Sequence, residues 1–511
     1  MSTTSAALTQ AISLHRSGQL EEAATLYRDI LARDACQIDA LHLWGVLAHQ
    51  QGRHDEAAEA IQRAVALAPH EADFRANLAS VLLATGDLEG AGREARQALV
   101  LDPSSGAVHS TLSAILLGQG KPEEAEAHAR DAVELAPGFP SAHYNLGCVL
   151  HRLERSREAV PCFRAALELV PGYLEARINL GRALEELGRL GEAETCYREA
   201  LSQQPDFAAA HWNIALLQLR RGDFENGWKG YEWRWSRPGA PPRRFAQPFF
   251  AQPLWDGSPL EGRRILLHAE QGLGDTIQFI RYAAAVERLG GETILECPPA
   301  LCGILSSAPG VGRIVAQGSA LPAFDVHAPL LSLPRLVSGA VEAPYLRAEA
   351  GRVAHWRETM DRKAQGRPKI GLAWAGNPEH ENDYLRSLTL GSLSPLANLD
   401  GFAFFRLQRG EARPGTDPTP LEDDLTTIED TAAILMNLDL LISTDTMPPH
   451  LAGALGRPVW TLLSFMPDWR WMLGREDCPW YPTMRLFRQP EPGAWKPVIE
   501  RVAGELAQWR P

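Results

Sequence analysis

The pattern of apolar and polar positions changes once along this chain, close to residue 236. Before that point, a helical pattern repeats at a fixed spacing of 34 residues. Beyond about residue 260, short apolar runs such as RRILLHA, ETILECP and KIGLAWAG alternate with amphipathic segments such as TIQFIRYAAAVERLG. Short apolar runs predict buried strands, and their alternation with helices predicts a parallel sheet covered by helices. The sequence therefore predicts an all-helical part followed by an α/β part.

Residue types that suit a helical hairpin mark the 34-residue period. Each repeat has a slot for glycine, a slot for a small residue five positions later, and a slot for proline twelve positions further on. Glycine ends the first helix in a left-handed conformation, the small residue lets the two helices approach closely, and proline stops the second helix. This period is typical of the tetratricopeptide repeat (TPR), and seven repeats are predicted. The glycine slot holds Gly18, Gly52, Gly86, Gly120, Glu154, Gly188 and Gly222.

These patterns divide the chain into four segments. A TPR superhelix with a capping helix is predicted over residues 1–236, and a linker rich in proline, glycine and aromatic residues over 237–259. The linker's aromatic residues predict that it is ordered and packed. Two Rossmann-like lobes follow, at residues 260–366 and 367–511, and the second ends in a helix. Ligands of such sheets bind outside the carboxyl ends of the strands, so functional residues are expected just after strands.

Composition and charge exclude several classes of protein. The formal net charge of −13 argues against duplex nucleic acid or an anionic membrane surface as the main partner. The N-terminal sequence MSTTSAALTQ lacks the features of a secretory signal, and no apolar run is long enough to span a membrane. The seven cysteines form no CxxC pair. We therefore expect a cytoplasmic protein with reduced thiols and no metal-ligand cluster.

The first candidate site follows the run RRILLHA. Gly272 and Gly274 precede an amphipathic helix that contains Asp275 and Thr276. Glycine-rich backbone at the start of a helix presents N–H groups to an anion. A carboxylate in this place suits a general base that takes a hydroxyl proton, so Asp275 is the candidate catalytic residue. The alternative is that Asp275 only caps the helix.

The second candidate site follows the strand KIGLAWA. Gly376 and Asn377 lie directly after that strand, Arg386 lies further along the loop, and Gln408 follows the next strand. Arg386 is suited to grip a diphosphate through two hydrogen bonds, although a solvated surface arginine is an equal alternative. All four are candidate donor-binding residues.

The third candidate site lies between the strand DLLISTD and the helix TMPPHLAGALG. Asp445 and Thr446 occupy the strand end and the helix start, where phosphate or ribose hydroxyls are held. His450 lies about one helical turn further on the same face. A packed structural histidine is the alternative to a ligand-binding role.

Three segments that carry these candidates together resemble a known family. HAEQGLGDTIQFIRYA, LAWAGNPEHENDYLRSLTL and STDTMPPHLAGALGRPVW are similar to the ADP-heptose:lipopolysaccharide heptosyltransferases (glycosyltransferase family 9), above all to the bacterial branch in which TPRs precede such a domain. The resemblance covers about residues 260–490. It implies a GT-B fold and metal-independent transfer from a nucleotide sugar, with no further cofactor. It also implies that Asp275 is the base, that Arg386 holds the donor diphosphate, and that Asp445, Thr446 and His450 hold the nucleotide. Met447 replaces the family's usual glycine.

Asparagines in the repeats bear on the acceptor. Asn77, Asn145, Asn179 and Asn213 share one repeat position, and stacked amides at that spacing would form a ladder able to bind a peptide backbone. This arrangement resembles the asparagine ladder of O-GlcNAc transferase. The alternative is that the amides only bond between helices.

The expected activity is therefore transfer of a sugar to a Ser or Thr hydroxyl of a polypeptide recruited by the repeats. Flagellin is a candidate acceptor, because TPR–glycosyltransferase fusions of this kind are associated with it. Two alternatives stay open: an enzyme for a cell-surface polysaccharide or lipid precursor, and an inactive TPR scaffold. A homo-oligomer formed through the TPRs is also open.

Overall fold

The computed structural model of this protein describes residues 3–236, 250–378, 383–397, 399–408, 419–420 and 427–510. The chain divides into two compact units, Met1–Gln203 and Gln204–Pro511. Among the described residues, no helix combines the length and the apolar character needed to cross a membrane. All seven cysteines carry free thiols.

In its described part, the first unit consists of twelve helices paired as six hairpins, in which each helix packs against the next. The small-residue slot is fully buried in every hairpin, from Ala23 to Ala193. An alanine in this slot lets the backbones of the two helices of a hairpin approach closely. The helices are α1 Thr3–Arg16, α2 Leu20–Arg33, α3 Ile38–Gln50, α4 His54–Leu67, α5 Ala72–Thr85, α6 Leu88–Leu101, α7 Gly106–Gly118, α8 Pro122–Leu135, α9 Pro140–Arg152, α10 Ser156–Leu169, α11 Leu174–Glu186 and α12 Leu190–Gln203.

The turn inside each hairpin adopts the left-handed backbone conformation that the glycine slot predicts. The six glycines of this slot have φ between 73° and 84°. Glu154 fills the same slot with φ 62°. An L-residue with a side chain is strained in this conformation, whereas glycine is not. Burial and the nearby charge of Glu186 also raise the pKa of Glu154, so the carboxylate itself is unfavourably placed.

We expect Glu154→Gly to raise the free energy of unfolding of the first unit by about 0.5–1 kcal/mol. The left-handed conformation costs a side-chain-bearing residue about 1–2 kcal/mol, and the greater freedom of glycine in the unfolded chain offsets part of the gain. Urea unfolding followed by far-ultraviolet circular dichroism measures the change. Gly120→Glu is the matched control, because a Cβ at Gly120 would meet nothing within 4 Å and only the backbone conformation is tested. Gly120→Glu should lower the free energy of unfolding. If both variants had the wild-type free energy of unfolding, the left-handed conformation would not cost stability at this slot.

The second unit begins with a seventh hairpin and continues into an α/β fold of two parallel sheets. The hairpin consists of α13 Ala208–Arg220 and α14 Phe224–Tyr231. The first sheet and its helices comprise β1 Arg264–His268, α15 Leu273–Phe279, α16 Ala283–Arg288, β2 Glu292–Cys297, α17 Cys302–Leu305, β3 Arg313–Ala316, β4 Val326–Pro329 and α18 Leu333–Leu336. The second comprises α19 Ala350–Ala364, β5 Lys369–Ala373, α20 Asp383–Arg386, α21 Ser394–Ala397, β6 Ala403–Arg406, β7 Thr419–Pro420, α22 Ile428–Asn437, β8 Leu440–Thr444, α23 Met447–Ala454, β9 Val459–Leu463, β10 Met484–Arg488 and α24 Trp495–Gln508.

The strand order of both sheets is that of doubly wound α/β units. The first sheet has the order β3-β2-β1-β4 and the second β10-β9-β8-β5-β6-β7. Every described strand pair is parallel. The central strands are apolar and buried, because helices cover both faces of such sheets. In each sheet all carboxyl ends therefore lie along one edge.

The seventh hairpin is packed into the α/β fold rather than standing apart from it. The Trp228 ring lies edge-on to Trp469 and Phe279, at centroid distances of 5.0 Å and 5.8 Å. Just after the hairpin, Arg234 donates to both carboxylate oxygens of Glu270, at 3.0 Å and 3.2 Å. These buried contacts explain why the hairpin belongs to the second compact unit, whereas the sequence places it in the repeat segment 1–236.

Local structure departs from the sequence prediction in two places. The predicted helix TIQFIRYAAAVERLG is divided by a 3₁₀ turn at Ile280–Tyr282. The Tyr345 hydroxyl donates to the Ile277 carbonyl at 2.9 Å, which gives that carbonyl a partner outside the helix. The strand β10 lies just after the aromatic run PDWRWMLGREDCPWYP, and the sequence did not predict a strand there.

The predicted linker lies partly outside the described residues, since 237–249 are not described. Its described end is packed. Trp255 is buried, and the Phe250 ring lies 4.9 Å from that of His327.

Candidate functional site

The carboxyl ends of five strands meet at one cleft of about 620 Å³ in the second unit. Residues that follow strands of both sheets line it, so its walls come from both halves of the α/β fold. Four of the predicted donor-binding residues are among them. The lining includes Leu273 after β1, Pro299 and Ala300 after β2, Ala375, Gly376 and Asn377 after β5, Gln408 after β6, and Thr446, Met447 and Pro448 after β8.

Asp275 lies in the first turn of α15 and is held from two sides. The Gly272 N–H donates to its Oδ2 at 2.9 Å, which is a helix-capping contact. Its Oδ1 accepts from the guanidinium of Arg470. The structure thus contains the capping contact that was the alternative interpretation, and it adds an ion pair with Arg470. Thr276, next to it, is buried, and its hydroxyl donates to the Gly272 carbonyl at 3.1 Å.

Arg470 is the residue at this site that sequence reasoning missed. It is 7% exposed, and it donates to Asp468 Oδ1 at 2.7 Å and to Gln278 Oε1 at 2.9 Å. Burial disfavours its charge, but the carboxylates of Asp275 and Asp468 outweigh burial and raise the pKa of Arg470. The only sequence signal for Arg470 was its place in the aromatic run PDWRW. In the structure its guanidinium carbon lies 4.4 Å from the centroid of the Trp469 ring.

Asp445 follows β8, and the charges of Asp468 and Arg470 act on it. We call Asp275, Asp445, Asp468 and Arg470 the charged cluster. Burial and the nearby charge of Asp468 raise the pKa of Asp445 to about 6. A carboxyl group that titrates near neutral pH is suited to accept a proton, so Asp445 is a second candidate base. Its neighbour Thr446 donates to the Thr444 carbonyl at 3.2 Å and also lines the cleft.

His450 is packed between aromatic rings on α23. It is 5% exposed, its Nδ1 lies 3.1 Å from the Tyr481 hydroxyl, and its ring centroid lies 5.1 Å from that of Trp471. A Cβ on Gly274 would lie 2.8 Å from the His450 ring. Gly274 is therefore required by the close approach of α15 and α23, and His450 has the surroundings of a packed structural histidine.

The buried His450 predicts a loss of stability in acid. Burial and the charges of Arg470 and Arg386 lower the pKa of His450 to about 3. The unfolded chain, with a histidine pKa of about 6.5, binds the extra proton between pH 6.5 and 3, so this contribution to stability is present above pH 6.5 and is lost as the pH falls. We expect the wild type to lose about 1.4 kcal/mol per pH unit more than His450→Asn below pH 6. Urea unfolding at pH 7.5, 6 and 5 measures this difference, and parallel curves would contradict it.

The loop after β5 is held by side chains rather than by regular structure. Gln408 Oε1 accepts from the backbone N–H groups of Trp374 and Ala375, at 3.3 Å and 3.0 Å. The Gly376 N–H donates to Ser387 Oγ at 2.9 Å. Gln408 thus positions the loop as well as lining the cleft.

Arg386 belongs to the same loop structure. Its Nε donates to Asp383 Oδ1 at 3.2 Å, and Ser387 Oγ donates to Asp383 Oδ2 at 2.8 Å. Gly376 packs directly against this pair, where a side chain would collide with Asp383. Arg386 is therefore partly buried in an ion pair beside the cleft, rather than solvated.

The asparagines of the repeats make contacts between neighbouring repeats. Asn77 Nδ2 lies 2.7 Å from His42 Nε2, Asn145 Nδ2 donates to Ser110 Oγ at 2.9 Å, and Asn179 Nδ2 donates to the Tyr144 hydroxyl at 3.1 Å. Each partner lies 35 residues earlier in the chain. These three amide groups thus bond between helices, and they are half-buried rather than fully exposed. Asn213 is also half-buried, but it lies in the second compact unit.

Comparisons with known proteins support the repeat assignment. Models of the tetratricopeptide repeat match residues 8–71, 48–115, 106–131 and 139–206. Together with the helical hairpins, they show that the chain contains tetratricopeptide repeats within residues 8–206, which are followed by an α/β region of parallel sheets.

A relative with a similar sequence is Protein FlbA of Caulobacter vibrioides. The two are 28% identical over 326 residues, which cover 57% of this chain and 54% of FlbA. The chain thus matches about half the length of this relative.

Two solved structures are similar to the repeat part. One is a thermophilic TPR protein of Thermus thermophilus, with 24% identity, a TM-score of 0.32, and coverage of 36% of this chain and 99% of that chain. The other is YrrB, a TPR protein with an unusual peptide-binding site, with 20% identity, a TM-score of 0.29, and coverage of 36% and 95%.

Proposed function

We propose that this protein is a glycosyltransferase that moves a sugar from a nucleotide-sugar donor to a Ser or Thr hydroxyl of a polypeptide recruited by its TPRs. The observation that carries the proposal is the cleft where the carboxyl ends of five parallel strands from two sheets meet. Ligands of open α/β sheets bind at such edges. The two parallel sheets with their helices support this proposal, as does the resemblance of residues 260–490 to the heptosyltransferases.

In this proposal the donor lies against the loop after β5 and the start of α23. Asn377, Gln408 and Thr446 line this part of the cleft. The first turn of α23 contains Pro448 and Pro449, which have no N–H to offer to a phosphate. The donor diphosphate therefore relies on side chains and on the loop after β5, with Arg386 as the candidate cation.

The acceptor hydroxyl gives its proton to a carboxylate of the charged cluster, and the oxygen attacks the sugar carbon as the nucleotide leaves, with inversion. Asp275, which accepts a hydrogen bond from Arg470, is the proposed base. The TPR unit supplies the polypeptide, since stacked TPRs form extended surfaces that bind peptides and proteins. Flagellin is the acceptor to test first.

Binding of the donor can be tested with the full chain. Nucleotides and nucleotide sugars with uracil, guanine, adenine and cytosine bases are screened by thermal unfolding. A ligand bound only by the folded state raises the free energy of unfolding by about 2.7 kcal/mol at 100 times its Kd. Ala375→Trp, which fills the cleft, should abolish this shift, whereas Ala354→Trp on the exposed face of α19 should retain it. If no nucleotide raises the melting temperature of the wild type, the enzyme proposal is wrong.

One observation favours a second candidate function, a TPR interaction scaffold without activity. Both oxygens of Asp275 already have partners within the protein, as expected of a purely structural carboxylate. A scaffold would bind its protein partner through the TPRs with full affinity while the cleft binds no nucleotide. Pull-down of the partner by wild type and Ala375→Trp, compared with their nucleotide binding, distinguishes the two.

A further inference from the structure

The hairpin formed by α7 and α8 carries a cluster of metal-ligating side chains far from the cleft in sequence. His109 lies on α7, and His128 and Asp131 lie one helical turn apart on α8. The two Nδ1 atoms are 3.0 Å apart, and His109 Nδ1 lies 3.5 Å from Asp131 Oδ2. One ligand atom from each of the three residues lies within 4.8 Å of the other two. The proposed glycosyltransferase activity uses none of the three.

The repeat itself fixes which nitrogen of His109 faces the cluster. His109 Nε2 lies 3.3 Å from the Pro103 carbonyl, which can only accept, so Nε2 carries the proton and Nδ1 of the neutral ring presents a lone pair. The equivalent residues of neighbouring repeats make the same contact to the carbonyl six residues earlier. These contacts are Arg75 to Pro69 at 3.0 Å, His143 to Pro137 at 2.8 Å and Arg177 to Pro171 at 2.6 Å. A carbonyl that accepts from the far ring nitrogen is the usual support of a metal-ligating histidine.

The third and sixth repeats carry an ion pair where the fourth repeat carries this cluster. In the third repeat Arg75 donates to Glu94 at 2.7 Å, and in the sixth Arg177 pairs with Glu199. In the fourth repeat the arginine is replaced by His109 and the acidic partner by His128, while Asp131 keeps a carboxylate in the position that Glu199 uses. A bound cation in this place would restore the positive charge that arginine supplies in the third and sixth repeats.

The charges around the cluster suit a cation. Glu124 and Asp131 are the negative charges that act on the His128 ring, and Arg96 is the positive one. The Asp131 side chain is 51% exposed, so an ion can reach the cluster from solvent.

We propose that His109 Nδ1, His128 Nδ1 and the Asp131 carboxylate form a binding site for a divalent transition-metal ion, with Zn²⁺ as the best match. Zinc bonds to nitrogen and oxygen are about 2.0–2.2 Å long, so ligands at 90–110° are separated by about 3.0–3.5 Å. The separations of His109 Nδ1 from His128 Nδ1 and from Asp131 Oδ2, 3.0 Å and 3.5 Å, agree with this range. Two imidazoles select zinc, nickel or copper over magnesium and calcium. Water completes the coordination on the exposed side. The site joins α7 to α8, so the metal is expected to stabilise the repeat unit.

Calorimetric titration of the full chain with Zn²⁺ tests the proposal, with Co²⁺ absorption as a second readout. We expect one site whose affinity falls at least tenfold in His128→Gln and in Asp131→Asn. With Asp131 as its partner, His109→Arg copies the Arg177–Glu199 ion pair of the sixth repeat, so it should remain folded and yet lose the site. His54→Gln is the matched control: His49 and His54 have the same Nδ1 separation of 3.0 Å, but among the described residues no third ligand completes that pair.

Each of the three cluster variants should therefore bind one zinc ion fewer than the wild type. The control His54→Gln should bind as much zinc as the wild type. Co²⁺ should show visible absorption bands of a low-coordinate nitrogen and oxygen site, which the cluster variants lack. If zinc affinity is the same in wild type, His128→Gln and His109→Arg, the proposal is overturned and the three side chains only hold the hairpin together. Circular dichroism of each variant shows whether loss of binding is loss of folding. A cluster variant that stays folded and still binds zinc with wild-type affinity would overturn it equally.

Discussion

Asp275→Asn is expected to slow sugar transfer by about 10²–10⁴-fold while the protein stays folded. The amide oxygen can still accept from either Gly272 or Arg470 but not from both, so circular dichroism is used to check that the variant is folded. What is lost is the basic oxygen that takes the proton of the acceptor hydroxyl. The measurement is mass spectrometry of the polypeptide acceptor after timed incubation with the donor found by thermal unfolding.

Two further variants show whether the loss of transfer is specific to Asp275: Asp445→Asn tests the other candidate base, and Asp477→Asn is the control. Asp445 has a pKa of about 6 and is the other candidate base in the cluster. Asp477 is an exposed carboxylate in an ion pair with Arg475, and its replacement should leave transfer unchanged. Loss of transfer in Asp445→Asn alone would show that Asp445 is the base and that Asp275 is a helix cap.

Arg470→Met is expected to lower the free energy of unfolding of the second unit by about 3–5 kcal/mol. The guanidinium is buried and pairs with Asp275, Asp468 and Gln278. Without it, two carboxylates of opposing elements are left close together with no cation between them. Tryptophan fluorescence during urea unfolding reports this unit, because thirteen of the fourteen tryptophans lie beyond residue 203.

An exposed pair provides the control for Arg470. Arg475→Met breaks the ion pair with Asp477, whose side chain is 74% exposed, and should cost less than about 1 kcal/mol. The double variant Arg470→Met with Asp275→Asn should recover part of the loss, since one unpaired carboxylate is removed. If Arg470→Met costs no more than Arg475→Met, the buried cluster does not hold the two sheets together.

The repeat part of the fold could be predicted almost completely from sequence. A 34-residue period fixes each hairpin through local contacts, so the glycine slot and the small-residue slot predict both the turns and the buried helix contacts. The left-handed turn at Glu154 shows how strongly the repeat determines the local backbone, because the repeat imposes this conformation on a residue that disfavours it. The TPR assignment is confirmed by the repeat models.

The candidate site could be predicted only in part. Gly376, Asn377, Gln408 and Thr446 line the cleft as strand ends predict. Activity, donor and acceptor stay predictions, and so do the roles of the individual site residues. For Asp275 and His450 the sequence left two interpretations open, because capping or packing and ligand binding use the same residue types at the same spacing.

The sequence by itself therefore determined the helical hairpins and their register, most of the strands, and the strand ends at which a ligand site can form. These features depend on contacts within about 34 residues, where periodicity is visible. The tertiary structure decided that Arg470 pairs with Asp275, 195 residues away, that Gly274 admits the His450 ring, and that the seventh hairpin packs into the α/β fold. Such pairs carry no spacing signal, because only the folding of the two sheets onto each other brings their residues into contact.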